Sequence, residues 1–577
     1  MANWKKRTAW FLTAALFGVL AAAAGCGNRG ARTSGGSGAE ALRTETAEEA
    51  AAAEGSSEPD ISHADGGEAE ERRAAHPQLI PLGKKTVNLD AEELLDSVWL
   101  YGDYDELIPQ DPGMAGRYPG LASALLASGH DLRENAERNL EELGSTAKAM
   151  DPDDLEDIGG LCATGKVFLI RTDTNTVSFQ QHLQKRGNDD SQMETADTKI
   201  GVNLDPETGE NLTLRDFVAD LGTFRGLYLE KAAEALGCDS GDGQLSAELD
   251  RLIGDGSAPS TAEFSFTAGH EGMYCYLNTG KSFTFAGRGE TSIPFFLAFS
   301  DHPEVFTDRA KNTTDRWVED LDCTLSGAGP ESAYGHFVSR RKLSGLSVKY
   351  KLDEDGDVYA PALLIGDRSF GLENIEELGF YGLDAAVARV KPGKSVLCLT
   401  LHAANDACIF QTYDPENAGA FIGRAEGTPE SLDEDGGPVL TDPENFRLNT
   451  ISQMLGTATV YRDYCLDPSS GEILAKEEDY LYTEDNDALT LKKPLSGDRA
   501  EARNARGSVS YENTGEAVEI PAGETVKRRA TDEKNRVILE RADGTFAAVT
   551  VDDRASWPVT IGGTDVEEIF DGLYFAG

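Results

Sequence analysis

Ile170-Arg-Thr-Asp-Thr-Asn-Thr-Val-Ser-Phe179 and Val202-Asn-Leu-Asp-Pro-Glu-Thr-Gly-Glu-Asn-Leu-Thr-Leu-Arg-Asp-Phe217 decide the fold class. In the first stretch Val167–Arg171 and Thr176–Phe179 read as two strands, and the polar Thr-Asp-Thr-Asn between them is a hairpin signal. In the second, Ile200–Leu204 is a strand running into Asp205-Pro-Glu-Thr-Gly209, a turn that closes on a glycine. Upstream, Tyr118-Pro119-Gly120 opens a helical stripe of Leu121, Leu125, Leu132, Ala136, Leu140 and Leu143, with a break expected at Gly129 and a new cap at Asp131. Downstream, Leu229–Leu236 before Gly237 and Leu245–Ile253 before Gly254 read as helices ending on glycine. Phe264–Phe266 and Met273–Leu277 form a hairpin around Gly269-His-Glu-Gly272, and Phe283–Phe285 and Ile293–Leu297 close the set. Helix, strands, helices, strands is an α+β order with a mixed or antiparallel sheet, assigned to residues 85–325.

These residues carry a resemblance. Tyr-Pro-Gly-Leu at 118–121, the 170–179 hairpin and the Asp-Pro-Glu-Thr-Gly turn followed by Leu-Thr-Leu-Arg-Asp-Phe resemble the RsiV-type extracellular domain. The resemblance implies an α+β module that binds lysozyme in an anti-sigma factor, and that sits beside the catalytic domain of PdaC-type peptidoglycan deacetylases. Where many members have a Gly-Gly-Ala-His-like turn, this chain has Lys185-Arg-Gly-Asn-Asp189. The expectation stops short of anti-sigma function, because a cleaved lipoprotein has no cytoplasmic segment with which to hold a sigma factor.

The amino terminus reads as an export signal. Lys5, Lys6 and Arg7 precede an apolar run from Ala9 to Ala24, which ends at Ala24-Gly25-Cys26. That layout assigns 1–25 to a signal peptide and resembles a bacterial lipobox, with Cys26 the lipidated residue that would hold the chain to the membrane. An ordinary secretory signal that happens to contain a cysteine is the alternative. Residues 26–84 are expected to be a disordered acidic tether, rich in Gly, Ser, Ala and Glu as far as about His76. The expected location is the outer face of the bacterial cytoplasmic membrane.

The remainder reads as β. Leu346–Tyr350, Val358–Ile365, Ser395–Leu401, Ala407–Tyr413 and Thr457–Tyr461 are strand-like runs between Gly, Asp, Asn and Pro turns, in a region bounded at 330–490. A sandwich and a propeller both fit. Residues 491–577 resemble an SH3-like barrel, through Val518–Val526, Arg536–Glu540, Ala542-Asp-Gly544 and Phe546–Val551, with Phe570–Phe575 packing back onto it. Trp557, Tyr574 and Phe575 are candidate wall-binding aromatics, against the alternative that they are core.

Charge and chemistry narrow the function. The 577 residues hold 53 Lys+Arg against 101 Asp+Glu, a net charge of −48, with mean hydropathy −0.39. Loss of the signal makes this three charges more negative. Such a surface repels nucleic acid and anionic headgroups, and it favours a basic extracellular protein such as lysozyme; general solubility explains it equally well. Seven scattered cysteines remain after Cys26, with no metal-site spacing, and a disulfide between Cys398 and Cys408 across a hairpin is weighed against free thiols. No nucleophile, zinc-protease, P-loop or dinucleotide motif occurs. His270-Glu271 reads as a solvated turn pair, Asp353–Asp357 and Asp433–Gly437 as solvated turns in preference to calcium loops, and the acids at 151–157 as a helix start or surface turn. No metal, cofactor or catalytic residue is assigned. The expected function is a non-enzymatic, lipid-anchored envelope protein that binds or senses a partner. A peptidoglycan-binding scaffold is the alternative, and an envelope enzyme is ranked last.

Overall fold

The computed structural model describes residues 77–575 except 96–97, 110–112, 152–159, 187–195, 239, 242, 280–290, 322–330, 340–341, 353–357, 366–367, 372–379, 404–407, 418–419, 430–439, 484–487, 506–507 and 553–556. Cys26, the expected signal, the expected Phe283–Phe285 strand, the two calcium-like turns and nearly all of the 151–157 acids therefore lie outside the described residues.

The first sheet contains β1 (Leu82–Asn88), β2 (Glu92–Leu95), β3 (Val98–Pro109), β4 (Gly160–Thr172), β5 (Val177–Arg186) and β6 (Ala196–Leu204), in the order β1-β3-β4-β5-β6 with β2 beside β3. The tether expected to reach residue 84 ends earlier. Ile80 and Leu82 are buried, and Leu82–Asn88 is hydrogen-bonded along β3, because these residues carry apolar side chains that the core takes up.

After the short helix α1 (Met114–Arg117), α2 (Pro119–Lys148) crosses the sheet between β3 and β4, which are its one parallel pair. Pro119 stands in the first turn, and Leu121, Leu125, Leu132, Ala136 and Leu143 line the buried stripe. The expected break at Gly129 does not occur. Gly129 lies on that buried stripe against Glu106, and packing of the stripe outweighs the roughly 1 kcal/mol that a mid-helix glycine costs.

The β4–β5 hairpin turns as expected, with Asp173 Oδ1 accepting the N–H groups of Asn175 (2.8 Å) and Thr176 (2.9 Å). Beyond β6 come α3 (Leu214–Phe217), closed by a Thr213/Asp216 capping box, α4 (Leu221–Leu236) and α5 (Gly243–Ile253). Gly237 ends α4 in the left-handed region at φ 68°. The helices cover a second sheet of β7 (Ser265–Ala268), β8 (Gly272–Thr279) and β9 (Thr291–Ala298), and share an aromatic core with it: Phe217, Phe224, Tyr228, Phe266 and Phe295. The amino-terminal half is thus mixed α/β, followed by a largely all-β part.

Neither expected boundary in the β part separates folding units. After α6 (Asp308–Lys311), β10 (Trp317–Leu321) pairs with β15 (Phe380–Lys391), so a strand assigned to the first domain is the edge of the sheet β10-β15-β16-β17-β18. That sheet adds β16 (Lys394–Ala403), β17 (Cys408–Asp414) and β18 (Ala420–Glu426), while β11 (Glu331–Ser339), β12 (Lys342–Leu352), β13 (Val358–Ile365) and β14 (Arg368–Gly371) form a separate meander.

A large sheet follows. It runs from β19 (Thr428–Pro429), β20 (Phe446–Ser452) and β21 (Ala458–Leu466), with β22 (Ile473–Ala475) beside β21, through β23 (Tyr480–Tyr482) to β27 (Thr525–Thr531), β28 (Arg536–Glu540) and β29 (Phe546–Thr550). Short β24 (Leu489–Leu491) pairs with β27, and the long hairpin β25 (Leu495–Ala505) and β26 (Ser508–Ile520) joins at β29. Because β23 pairs with β27, hydrogen bonding crosses the expected border at 490–491. Val396, Cys398 and Phe410 of one sheet share a core with Phe446, Leu448 and Tyr464 of the other, and the Phe410 and Phe446 rings lie 5.4 Å apart. Of the two architectures that fitted 330–490, the described part is face-to-face sheet packing.

Candidate functional site

The β7–β8 turn is tight, Gly269 N–H donating to the Gly272 carbonyl over 2.8 Å, and it carries His270 inward. The expectation of a solvated His270-Glu271 pair is overturned. His270 is 4% exposed, because the first strand of the next sheet places Trp317 against it, ring on ring, 4.7 Å apart and 2° from parallel. Both ring nitrogens are buried without a hydrogen-bond partner. Burial, with the Arg171 and Arg389 cations nearby, holds the imidazole well below its ordinary pKa, so it is neutral.

Arg389, on β15, faces Trp317 of β10 in the ladder and sets its guanidinium 5.5 Å from the indole centroid. It pairs with Glu271 at 2.5 Å, while its Nε and the Trp317 Nε1 have no acceptor. His270, Glu271 and Arg389 wall a cleft of about 450 Å³ that is also lined by Phe296, Ser300, Lys311, Thr313, Ser395 and Glu416. The Lys311 ammonium, donating to the Pro303 carbonyl at 2.9 Å, is held at its rim.

Two further sets of buried polar groups tie these elements together. Arg171, fully buried, pairs with Asp173 (2.8 Å) and donates to the carbonyls of Ala310 (3.0 Å) and Asn312 (2.7 Å), pinning α6 to the first hairpin. The Tyr274 hydroxyl donates to Glu319. Burial, reinforced by the acids Glu271 and Asp320, nevertheless pushes Glu319 up to about 8.

The residues singled out in the sequence scatter. Trp557 is 68% and Tyr574 71% exposed, so the core alternative fails for both; Phe575 is half-buried, edge-on to Trp557 at 4.9 Å. They stand together at the carboxyl terminus. Cys398 faces Thr412 and Cys408 faces His402 in the β16–β17 ladder, so a disulfide between the two cysteines is excluded by register, and both are free thiols. Trp317 and Arg389 were not anticipated: each is a single residue in a strand-like run, and only long-range pairing brings them together.

No family model matches the chain, and no curated protein matches it. Among solved structures, a member of the DUF3298 family from Bacteroides fragilis aligns with 40% of this chain and 96% of its own at 12% identity, with a TM-score of 0.27. A DUF3298 family protein from Pseudomonas aeruginosa aligns with 40% and 97% at 8% identity, with a TM-score of 0.23. Neither likeness bears on what this chain does.

Proposed function

We propose that the chain is an exported binding protein of the bacterial envelope, anchored through a lipid on Cys26, with the His270 cleft as its ligand site. One observation carries the binding reading: a cleft of about 450 Å³ walled by a buried neutral imidazole with both nitrogens unpaired. Neutral imidazole offers one donor and one acceptor. A hydroxyl supplies both complements, whereas a carboxylate can only accept. Ser300, Thr313 and Ser395 on the walls add the same dual chemistry. The ligand class is therefore polyhydroxylated, and peptidoglycan glycan is the one an envelope protein meets. Entry to His270 requires the Arg389–Glu271 pair to part. In this reading the 525–550 strands, with glycine turns at Gly523 and Gly544, are an SH3-like module, and the exposed Trp557 and Tyr574 offer a stacking platform to the same polymer.

The test is calorimetric titration of the whole chain with soluble peptidoglycan fragments. Saturable binding that weakens roughly tenfold or more in His270→Ala is expected; equal affinity in both proteins overturns the assignment of the cleft.

The net charge of −48 favours a second reading, capture of a cationic protein such as lysozyme by the RsiV-like first domain. Titration of the whole chain with lysozyme at low and at physiological salt decides it, and absence of a saturable complex at both removes it.

A further inference from the structure

The ladder that separates Cys408 from Cys398 also aligns three other side chains. His402 on β16 is the direct cross-strand partner of Cys408 on β17, so the two share a face. Asp384 on β15 is opposite Thr400, one step along that same face. Cys408 Sγ lies 3.5 Å from His402 Nδ1, and His402 Nε2 lies 2.6 Å from Asp384 Oδ2. A thiol, an imidazole and a carboxylate follow one another through opposite nitrogens of one ring. Among the described residues no group of three or more His, Cys, Asp and Glu is placed to hold a metal ion, so the three are read as a relay and not as a ligand set.

We propose that Cys408 is a nucleophile for acyl groups, with His402 as its general base and acid and Asp384 as the residue that positions the imidazole. The Cys408 thiol passes its proton to His402 Nδ1, and the thiolate adds to the carbonyl carbon of an ester or thioester. The bond to the leaving group breaks, and that group departs with the proton from His402. A thioester to Cys408 remains, which water cleaves with His402 again taking the proton. No oxidant, reductant or metal enters the balance.

The surroundings act on the imidazole and the carboxylate. Burial opposes charge on His402, but the bonds to Asp384 and Cys408 prevail and raise it to about 10. Partial desolvation opposes charge on Asp384, but the bond to His402 holds it low, helped by the Lys84 cation of β1 and the Lys166 cation of β4. Asp320 of β10 and Asp105 of β3 act on Lys84, so the relay has both signs of charge around it. The triad opens to solvent: the His402 side chain is 20% and that of Asp384 48% exposed, and Cys408 is half-buried. This goes beyond the binding reading, since it lies on other residues than the cleft and survives or fails independently of it.

The experiment is peptide-resolved mass spectrometry on the whole chain after timed iodoacetamide treatment from pH 5 to 9. Cys408 is expected to react at pH 6 roughly tenfold faster than Cys238 or Cys465, which are also half-buried. His402→Gln should abolish that advantage, and Asp384→Asn should shift its pH profile while leaving Cys408 accessible. With p-nitrophenyl acetate, a burst of nitrophenol and one acetyl group on Cys408 are expected in the parent and absent in Cys408→Ser. Circular dichroism matched to the parent qualifies each variant. Reactivity at Cys408 equal to that of Cys238 and Cys465, or unchanged in His402→Gln, overturns the proposal, as does acetyl transfer that persists in Cys408→Ser.

Discussion

Gly120 and Gly209 stand back to back. A Cβ on Gly120 would lie 2.3 Å from the Thr208 carbonyl oxygen, and one on Gly209 would lie 2.2 Å from the Gly120 carbonyl oxygen. Two of the motifs on which the sequence resemblance rested, Tyr-Pro-Gly-Leu and Asp-Pro-Glu-Thr-Gly, are therefore one contact, made where α2 begins against the turn after β6. Gly209 also has φ 74°. Gly209→Ala incurs both the backbone penalty and the clash, and is expected to cost about 2–4 kcal/mol. Gly120→Ala, with the clash alone, should cost less. Urea unfolding of the two variants orders them, and equal stability to the parent would refute the contact.

Arg171 is the second structural keystone. Arg171→Met removes the cation from a fully buried pair with Asp173, takes the side-chain donor from the Ala310 carbonyl and leaves the Asn312 carbonyl with Asn175 Nδ2 alone. A loss of about 3–5 kcal/mol is expected in chemical denaturation. The double variant Arg171→Met/Asp173→Asn should recover part of it, because the uncompensated charge is gone.

Stability should depend on pH in two opposing ways. Glu319 is raised to about 8 when folded, so its contribution is complete below its unfolded value and is lost as pH rises toward 8, at up to about 1.4 kcal/mol per unit. His270 is depressed when folded, so its contribution is complete above its unfolded value near 6.5 and falls as the solution is acidified. Glu319→Gln should flatten the first slope and His270→Phe the second, read by denaturant midpoints from pH 4.5 to 8.5. Slopes that are the same in parent and variants would contradict these assignments.

The aromatic platform makes the opposite kind of prediction. Trp557, 68% exposed, has little core to lose, and Trp557→Ala is expected to change stability by no more than about 0.5–1 kcal/mol. If the platform stacks on glycan, the same variant should sediment less with insoluble peptidoglycan than the parent does. Equal sedimentation removes the platform from the proposed function.

What the sequence made legible was local. The β4–β5 hairpin, the Asp205–Gly209 turn, α4 with its terminal Gly237 and the β7–β8 hairpin are short-range structures, written in periodicity and turn chemistry a few residues long. The first three strands were missed although Val98–Pro109 is a long strand, because acids at Asp103, Asp105 and Glu106 blur its alternation. Asp105 is buried yet satisfied: it accepts the Val167 N–H at 2.9 Å and lies 3.6 Å from Lys166, partners that only the parallel β3–β4 pairing supplies. His270 was misread for the same reason. A His-Glu between glycines looks solvated until a distant strand brings an indole onto it. Nor do His402 and Cys408 match any motif, since a cross-strand pair leaves only a spacing that hairpins commonly have.

The strand Trp317–Leu321 belongs to two masters. Its backbone completes the sheet of β15, yet Trp317 lies on His270 of the first region and Asp320 accepts the Leu169 N–H at 3.1 Å. A cut at 325 would leave that strand without the ladder that holds it straight, and a fragment beginning at 330 would expose the bare flank of β15 to any passing edge. Dissection into separately expressed pieces should thus yield an amino-terminal half with a collapsed cleft and a carboxyl-terminal half prone to self-association. The chain is a poor candidate for modular borrowing, and the proposed ligand is best sought with it whole.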